Sequence, residues 1–248
     1  MEGLDFTFVA EALQTIGGFY PSGLNQVWLR SRFETWESER SGANSSAQIT
    51  NSAEADSFLG PFFSSFDGGF WPDDYGSGVS DLLPEIDGAN VRAWVIAAGN
   101  GHEAYSVACL LRSRFPEKVI TVFAHDADLL NISSASTLTV DPKTAPGAIA
   151  QHLVEGSRGF VFSDEIRQSI SFEYHDVLHD NTFPQVHLIV AKDYLSFLAE
   201  IPRKKLMDDI HEKISERGIV LVGANEVLPD GTYEPIASGP VRGFRKLQ

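Results

Sequence analysis

The sequence predicts an α/β fold: a mostly parallel sheet with helices on both faces and an antiparallel last strand, preceded by a short N-terminal helical region. Two observations predict it. After residue 90, short apolar runs alternate with helical stretches, and strands separated by helices pair in parallel through right-handed crossovers. Before residue 45, apolar side chains recur with the helical period of about 3.6 residues.

The amino-acid composition limits the size of the core and the kinds of partner that the protein can have. The 248 residues are 43% hydrophobic, which suffices for one core or for one core plus a small appendage. Thirty-four Asp and Glu against 19 Lys and Arg give a net charge of −15, which argues against nucleic acid and against an anionic membrane surface as partners. The single cysteine, Cys109, lies in the apolar run 107–111 and is predicted to be a small buried side chain.

We expect no targeting signal in the first residues of the sequence. Its first ten residues contain Glu2 and Asp5 but no Lys or Arg, so they lack the basic start of such a segment. No apolar run approaches the roughly 20 residues that cross a bilayer. We therefore expect a cytoplasmic protein with no membrane insertion.

The chain divides into three predicted regions. Residues 1–45 form an N-terminal helical region, with one helix marked by Phe6, Val9, Leu13 and Ile16 and a second over Leu24–Trp36 that starts after Pro21-Ser22-Gly23. Residues 46–90 form a linker and an irregular segment, because 41–52 is small and polar and 58–80 is rich in Gly, Phe and Asp. The aromatic side chains of 58–80 are expected to pack onto the sheet, with a lid or binding surface as the alternative.

The third region, residues 91–248, is the α/β domain. Strands are predicted over Val91–Ala98, Lys118–Ala124, Ser169–Tyr174, Val186–Ala191 and Gly218–Gly223, and helices over Glu103–Phe115, Asp128–Ser136 and Arg203–Arg217. A Pro-Asp-Gly turn at 229–231 predicts a last strand, Val241–Leu247, that folds back antiparallel.

A glycine-bearing loop joins the first strand to its helix. Gly99 and Gly101 allow a sharp turn and a close approach of the backbone to a ligand, ahead of the N–H groups at the helix start. The next strand ends at Asp126, and an acid at this strand end can accept hydrogen bonds from both ribose hydroxyls. Strand, loop, helix, strand and acid in this order predict a nucleoside pocket.

Two ligand classes fit such a pocket. Gly99, Gly101 and Ala104 match the dinucleotide fingerprint G-x-G-x-x-A, which predicts an NAD(P)-dependent oxidoreductase. S-adenosylmethionine carries a sulfonium cation and no phosphate, so it requires an acidic pocket. Such a pocket is suggested by the acids Glu103, Asp126, Asp128 and Asp176.

The segment AGNGHEAYSVACLL, which begins at Ala98, resembles the S-T-G-E-E-P-Y-S-I-A signature of CheR-type chemotaxis receptor methyltransferases. Further segments are similar in the same order: 123–128 to F-A-S-D-I-D, 172–178 to the segment with the family's N-L or D-L pair, 190–197 to F-C-R-N-V-x-I-Y-F, and 222–226 to G-H-S-E. Residues 20–33 resemble the family's N-terminal helical domain, and 240–246 its closing strand.

The resemblance implies a Rossmann-like fold for 91–248 and an S-adenosylmethionine-dependent transfer of methyl groups to carboxylates, with a protein acceptor or signalling partner. Asp126, with Asp128 as second choice, would bind the ribose. The residues implied to line the cofactor are Gly99, Gly101 and Glu103, and those implied to surround the adenine or the sulfonium are Asp176, Val177, Asp193 and Tyr194. No catalytic residue is assigned.

Several positions depart from the family's motifs. The Asn, Thr and Arg of N-x-T-x-F-F-R fall on Glu54, Asp56 and Gly60, and the Tyr of the F-C-R-N-V-x-I-Y-F segment falls on Phe197. No Lys or Arg occurs between Arg40 and Arg92, although a carboxylate acceptor is best held by Arg. These changes favour, as an alternative function, a catalytically inactive binding or regulatory protein.

His175 and His179, with Asp176 and Asp180, have a spacing that would suit a metal on a helix. They follow a predicted strand and have no further ligand in register. Surface or loop histidines are therefore the preferred interpretation.

Overall fold

The structure is a computed structural model that describes residues 6–20, 26–41, 48–62, 69–157, 159–229 and 231–247. The chain forms two compact units. The smaller unit comprises 1–65, 192–204 and 222–227, and the larger unit comprises 66–191, 205–221 and 228–248.

The smaller unit is helical at its N-terminal end, as predicted. It contains α1 (Phe6–Gly17), α2 (Gln26–Ser41), α3 (Ser52–Leu59) and a 3-10 turn, Gly60–Phe62. One apolar cluster holds these helices together, and its buried members include Leu13, Phe19, Leu29, Trp36, Phe58 and Phe62. The predicted start signal at 21–23 and residues 42–47 of the polar stretch lie outside the described residues.

The larger unit is built on seven strands: β1 (Asn90–Ile96), β2 (Val119–Asp126), β5 (Ile170–Tyr174), β6 (Val186–Ala191), β7 (Ile214–Val222), β8 (Tyr233–Ser238) and β9 (Val241–Lys246). Their order is β5-β2-β1-β6-β7-β9-β8. Strand β1 pairs in parallel with β2 and β6, and β2 with β5, whereas β9 is antiparallel to β7 and β8. The predicted fold class, including the antiparallel last strand, is confirmed.

Helices and a small hairpin complete this part of the chain: α4 (Asp73–Leu82), α5 (His102–Arg114), α6 (Leu129–Ala135), α7 (Gly147–Ala150), α8 (Asp164–Gln168) and α9 (Glu200–Lys213), with β3 (Leu153–Gly156) and β4 (Gly159–Phe162). Cys109 is buried in the core, as predicted, and burial raises the pKa of its thiol. Of the aromatic side chains of 58–80, Trp71 and Tyr75 belong to the same core and Phe70 packs against it, as expected, whereas Phe58 and Phe62 belong to the apolar cluster of the smaller unit. Residues 63–68 lie outside the described residues.

Two predicted elements are wrong in part. Residues 73–82, predicted to be irregular, form α4, in which Gly78 serves close packing: a Cβ there would lie 2.6 Å from the carbonyl oxygen of Ser238. The helix predicted over 203–217 ends at Lys213, because Ile214 is fully buried as the first residue of β7, and Glu216 and Arg217 are charged residues of that strand. The β3–β4 hairpin and β8 were not predicted.

Candidate cofactor site

The loop between β1 and α5 has an unusual backbone. Three of its residues have left-handed torsions, with φ of 55° at Ala97, 51° at Gly99 and 86° at Gly101. An L-residue such as Ala pays about 1–2 kcal/mol for this conformation, whereas glycine adopts it freely. A side chain at Gly99 would meet no atom closer than the Ala97 carbonyl oxygen at 4.0 Å, so the loop presents bare backbone there.

The carboxylate of Asp126 joins this loop to the end of β2. Its Oδ2 accepts a hydrogen bond of 2.8 Å from the N–H of Gly99. Its Oδ1 accepts from the N–H of Asp128 at 2.8 Å and from Asn131 Nδ2 at 3.3 Å. A carboxylate offers about four lone-pair positions, so one acceptor position of Asp126 remains for a ligand.

Asp128 is the N-cap of α6 and is exposed. Its Oδ1 accepts the N–H of Leu130 at 2.8 Å, the usual way in which an aspartate satisfies a helix start. Asp126 and Asp128 therefore lie together at the carboxyl edge of the sheet, one buried and one exposed.

Glu103, in the first turn of α5, is held by Trp71. Its Oε1 accepts the indole N–H at 2.7 Å. The backbone N–H of Trp71 donates to Ser106 Oγ at 3.1 Å, and that hydroxyl donates to the His102 carbonyl oxygen at 2.8 Å. Trp71 is thus fixed to the start of α5 at two points.

Other residues of the same motif have a packing role. A Cβ at Gly101 would lie 2.8 Å from the Ala135 Cβ and 3.1 Å from the ring of Phe172. Tyr105 donates its hydroxyl to the carbonyl oxygen of Ala135 at 3.2 Å and stacks on Phe162 with ring centroids 3.9 Å apart. Gly101 and Tyr105 therefore hold the end of α6 against α5.

The segment after β5 continues the same edge. The Asp126 carbonyl oxygen accepts the N–H of His175 at 3.0 Å. Asp176 Oδ1 accepts the N–H of Leu178 at 2.9 Å, and Val177 is buried. Of the predicted site residues, the larger unit thus brings Gly99, Gly101, Glu103, Asp126, Asp128, Asp176 and Val177 to adjoining turns of one sheet edge.

Asp193 and Tyr194 belong to the smaller unit and are described there. Asp193 is buried and has a left-handed φ of 54°. The carbonyl oxygen of Tyr194 accepts the N–H of Phe197 at 3.1 Å, and the Phe197 ring packs edge-on against Phe19, with centroids 5.3 Å apart. The cofactor roles predicted for Asp193 and Tyr194 stay predictions.

The positions that depart from the family's motifs have structural partners. Glu54 accepts hydrogen bonds from Arg40 at 3.2 Å and from the N–H and hydroxyl of Thr50 at 2.8 Å. These hydrogen bonds lower the pKa of Glu54, with the Thr50 N–H as the main cause.

Arg32 is buried and donates Nε to the Phe58 carbonyl oxygen at 2.9 Å. Its guanidinium therefore serves the packing of α2 on α3.

The histidines near β2 and β5 take part in ordinary contacts. His125 Nδ1 accepts the indole N–H of Trp94 at 3.2 Å, and His175 Nε2 contacts Asn181 Oδ1 at 3.1 Å. His179 Nδ1 lies 3.3 Å from Asp176 Oδ2. Among the described residues, no three His, Cys, Asp or Glu side chains are grouped as metal ligands.

In the described part of the chain, none of the helices combines the length and apolar character that a membrane crossing requires.

Sequence reasoning missed three residues of this edge. Trp71, the partner of Glu103, lies 32 residues away, and nothing in the local pattern connects the two. Asn131 lies in the first turn of α6, only five residues after Asp126. This short separation is a sequence signal that the two side chains can meet at the helix start. The left-handed Ala97 has no sequence signal, because alanine does not favour that conformation.

Two family descriptions match the chain. Residues 73–240 match "CheR methyltransferase, SAM binding domain", which covers well over half of the sequence. Residues 1–58 match "CheW-CheR linker domain".

Curated relatives are distant. The chain is 24% identical over 151 residues to "Uncharacterized 104.1 kDa protein in hypE 3'region" of Rhodobacter capsulatus, a match that covers 57% of the chain and 16% of that protein. It is 21% identical over 173 residues to "Putative methyltransferase Cher3" of Pseudomonas putida, and this match covers 63% of each. The chain thus spans less than two thirds of the length of either relative.

Two solved structures are similar at a low level. The glycopeptide N-methyltransferase MtfA, complexed with S-adenosylmethionine, is 13% identical with a TM-score of 0.41, and the match covers 72% of this chain and 69% of that one. PKMT2 from Rickettsia typhi, in complex with AdoHcy, is 13% identical with a TM-score of 0.41 over 60% of this chain and 24% of that one.

Proposed function

The chain belongs to the CheR methyltransferase family, with the family's S-adenosylmethionine-binding domain over residues 73–240, and on that premise we propose that it methylates carboxylate groups of a protein acceptor. The observation that carries the proposal is the 2.8 Å hydrogen bond from the N–H of Gly99 to Asp126 Oδ2. It joins the glycine loop to an acid at the end of the neighbouring strand, the arrangement that binds a ribose.

Charge favours S-adenosylmethionine over a dinucleotide at this edge. The segments 97–111, 123–135 and 171–180, which carry the larger unit's candidate residues, contain no Lys or Arg. They contain six Asp or Glu: Glu103, Asp126, Asp128, Glu173, Asp176 and Asp180. A pyrophosphate would be repelled by these acids, whereas a sulfonium cation would be attracted.

The hydrogen-bond acceptors at this edge suit the ribose hydroxyls of the cofactor. Asp126 retains about one free acceptor position and the exposed Asp128 about three, given the hydrogen bonds that each already accepts. In the proposed complex, these two carboxylates accept the ribose hydroxyls, and Gly99 lets the backbone approach the ligand.

Bound S-adenosylmethionine supplies an activated methyl group and a neutral thioether leaving group for an in-line displacement. The acceptor carboxylate is already ionised near neutral pH, so the transfer requires no general base from the chain. The contribution of the protein is to hold the two reactants in line.

We also propose a protein partner from a signalling system. Its support is the match of residues 1–58 to the CheW-CheR linker domain.

A second candidate function is a binding or regulatory protein that keeps the fold without the chemistry. It is favoured by Phe197, which has no hydroxyl where the family has a tyrosine and packs against Phe19. The Arg40–Glu54 ion pair, with Glu54 at the position of the Asn of the family's N-x-T-x-F-F-R motif, favours it as well.

Isothermal titration calorimetry with S-adenosylmethionine and S-adenosylhomocysteine tests the cofactor site. We expect saturable binding at micromolar ligand, an Asp126→Ala variant with affinity lowered at least about 100-fold, and an Asp128→Ala variant lowered about tenfold. Glu165→Ala, on α8, is the control and should bind like the wild type. No saturation up to millimolar ligand would rule out the methyltransferase.

Transfer itself is tested with methyl-labelled cofactor and a cell extract depleted of small molecules. Protein-bound label that is released as methanol by mild base identifies a carboxyl ester. Saturable cofactor binding with no transfer to any protein would favour the second candidate.

A further inference from the structure

A cavity of about 340 Å³ lies within the larger unit, on the face of the sheet away from α5. Val122 and Ala124 of β2 belong to the same core as the buried residues of α5. Alternate residues of a strand point to opposite faces of the sheet, so Phe123 and His125 face the other side. There they line the cavity, together with residues of the edge strand β5, of the turn after it and of the segment before β6.

His125 contributes a hydrogen-bond donor to this cavity. Its side chain is 3% exposed, and Nδ1 accepts the indole N–H of Trp94 at 3.2 Å. Burial lowers the pKa of His125 to about 4, so the imidazole is neutral near pH 7 and carries its proton on Nε2. Among the described residues, Nε2 has no hydrogen-bond partner. Because buried polar groups nearly always have a partner, this N–H points to an acceptor on a ligand.

Glu173 places an acceptor beside that donor. It is the register partner of His125 in the parallel pairing of β2 with β5, and its Oε2 lies 3.8 Å from His125 Nε2, which is beyond hydrogen-bond distance. Oε1 already accepts the hydroxyl of Ser171 at 2.8 Å. The cavity therefore presents one donor and one acceptor side by side.

Aromatic rings form another part of the lining. Phe123 and Phe183 are stacked, with ring centroids 4.8 Å apart, and Phe183 meets His125 edge-on at 5.5 Å. Both phenylalanine side chains are half-buried and line the cavity. Aromatic faces favour contact with a flat ring, so the lining suits a planar ligand.

The charge of the cavity excludes anionic ligands. Its described lining residues include two acids, Glu173 and Asp180, and no Lys or Arg. Lys213 lies over the Phe183 ring, with Nζ 5.6 Å from the centroid, but it does not line the cavity. A phosphate or carboxylate group would be repelled here.

We propose that this cavity binds a flat nitrogen heterocycle that carries an amino group beside a ring nitrogen and has no phosphate, as amino-substituted nucleobases do. The ring nitrogen accepts the Nε2–H of His125, the amino group donates to Glu173 Oε2, and the ring packs on the phenylalanines. Ligand pockets begin at about 300 Å³, so the volume suits one small ring system. Asp126 does not line the cavity, and the inference does not rest on the proposed function.

The first test is an NMR titration with cytosine and with uracil. Cytosine has a ring nitrogen acceptor beside an amino group, whereas uracil has the same ring with an N–H donor beside a carbonyl oxygen. We expect cytosine to bind with a Kd below about 1 millimolar and to shift the His125 Nε2 signal, and uracil to bind at least about tenfold more weakly. No saturation by cytosine up to about 10 millimolar, or equal affinity for uracil, would overturn the proposal.

The second test changes the acceptor. Glu173→Ala should weaken cytosine binding at least about tenfold, and Glu173→Gln, which keeps an amide oxygen, should weaken it less. Glu173 is about half exposed, so both variants should fold. The matched control is Glu117→Ala, which removes an exposed acid before the start of β2 and should bind like the wild type. A Glu173→Ala variant with wild-type affinity for cytosine would overturn the proposal.

The third test separates this cavity from the candidate cofactor site. Cytosine affinity should be unchanged when S-adenosylhomocysteine is present at saturation, and its loss would place the base in the cofactor site and overturn the proposal. A protein that binds cytosine but not S-adenosylhomocysteine would overturn the proposed function and support this inference.

Discussion

The indole N–H of Trp71 donates a 2.7 Å hydrogen bond to Glu103 Oε1. Trp71 is buried in the core, whereas Glu103 lies in the first turn of α5. Trp71, which precedes the first strand in the chain, thereby orients the side chain of Glu103 beside the glycine loop. Glu103 is consequently fixed by the larger unit's own core.

Replacing Trp71 with Phe tests this relationship. The ring stays apolar, but Glu103 loses this hydrogen bond, so we expect a loss of unfolding free energy of about 1.5–3 kcal/mol, the range for a hydrogen bond to a charged group. S-adenosylmethionine affinity should fall about three- to tenfold. Trp94→Phe, which loses the indole bond to His125, is the control for stability alone. Equal affinities in both variants would contradict an orienting role for Trp71.

Gly101→Ala should strongly destabilise the protein. The new Cβ would lie 2.8 Å from the Ala135 Cβ at a residue with φ of 86°, so torsional strain and overpacking add to about 2–5 kcal/mol. Gly99→Ala meets no close atom and should cost only the torsional part, about 1–2 kcal/mol. Urea unfolding measures both. An Ala135→Gly change added to Gly101→Ala should restore part of the loss, and no recovery would show that the clash lies elsewhere.

Tyr105→Phe isolates the hydroxyl at the end of α6. The stacking on Phe162 is retained, while the 3.2 Å hydrogen bond to the Ala135 carbonyl oxygen is lost. We expect a loss of unfolding free energy of about 1 kcal/mol. Because burial raises the pKa of Tyr105 to about 12, the hydroxyl stays protonated, and the difference between Tyr105 and Phe should be the same from about pH 6 to about pH 9. A difference that changed over this range would contradict the assignment.

Stability should fall below neutral pH because of His125. Burial, reinforced by the nearby His175, lowers its pKa to about 4, whereas the unfolded chain titrates near 6.5. The unfolded state therefore binds the extra proton first, and the stabilisation present above about pH 6.5 is lost as pH falls toward 4. Burial lowers the pKa values of His102, His152 and His187 in the same direction.

Urea unfolding at about pH 7.5 and about pH 5 checks this. The His125 contribution should shrink by about 2 kcal/mol between these values, and a His125→Asn variant should lose that part of the pH dependence. His179→Asn, which removes a largely exposed imidazole, is the control. A His125 variant with the wild-type pH dependence would contradict the prediction.

The order of elements in the α/β domain was predictable because buried strands leave unbroken apolar runs. Val186–Ala191 was placed at its observed bounds, and β1, β2 and β5 within two residues at either end. Residues 73–82 were not, because the richness of 58–80 in Gly, Phe and Asp predicted irregular structure, and only the approach of Ser238 to Gly78 explains a glycine in that helix. The charged start of β7 carried a helical pattern that the burial of Ile214 overrides.

The sequence by itself determined the fold class, the family, and the pairing of a glycine loop with an acid one strand away, since chain order along a parallel sheet fixes which turns share an edge. Only the tertiary structure decided what each motif residue does. Gly101 and Tyr105 pack against Ala135, Trp71 holds Glu103, and Asp126 accepts one hydrogen bond from the glycine loop and two from the residues that follow its own strand. These roles depend on hydrogen bonds and close packing between residues that are distant in sequence. Such long-range contacts produce no pattern in the local sequence from which they could be predicted.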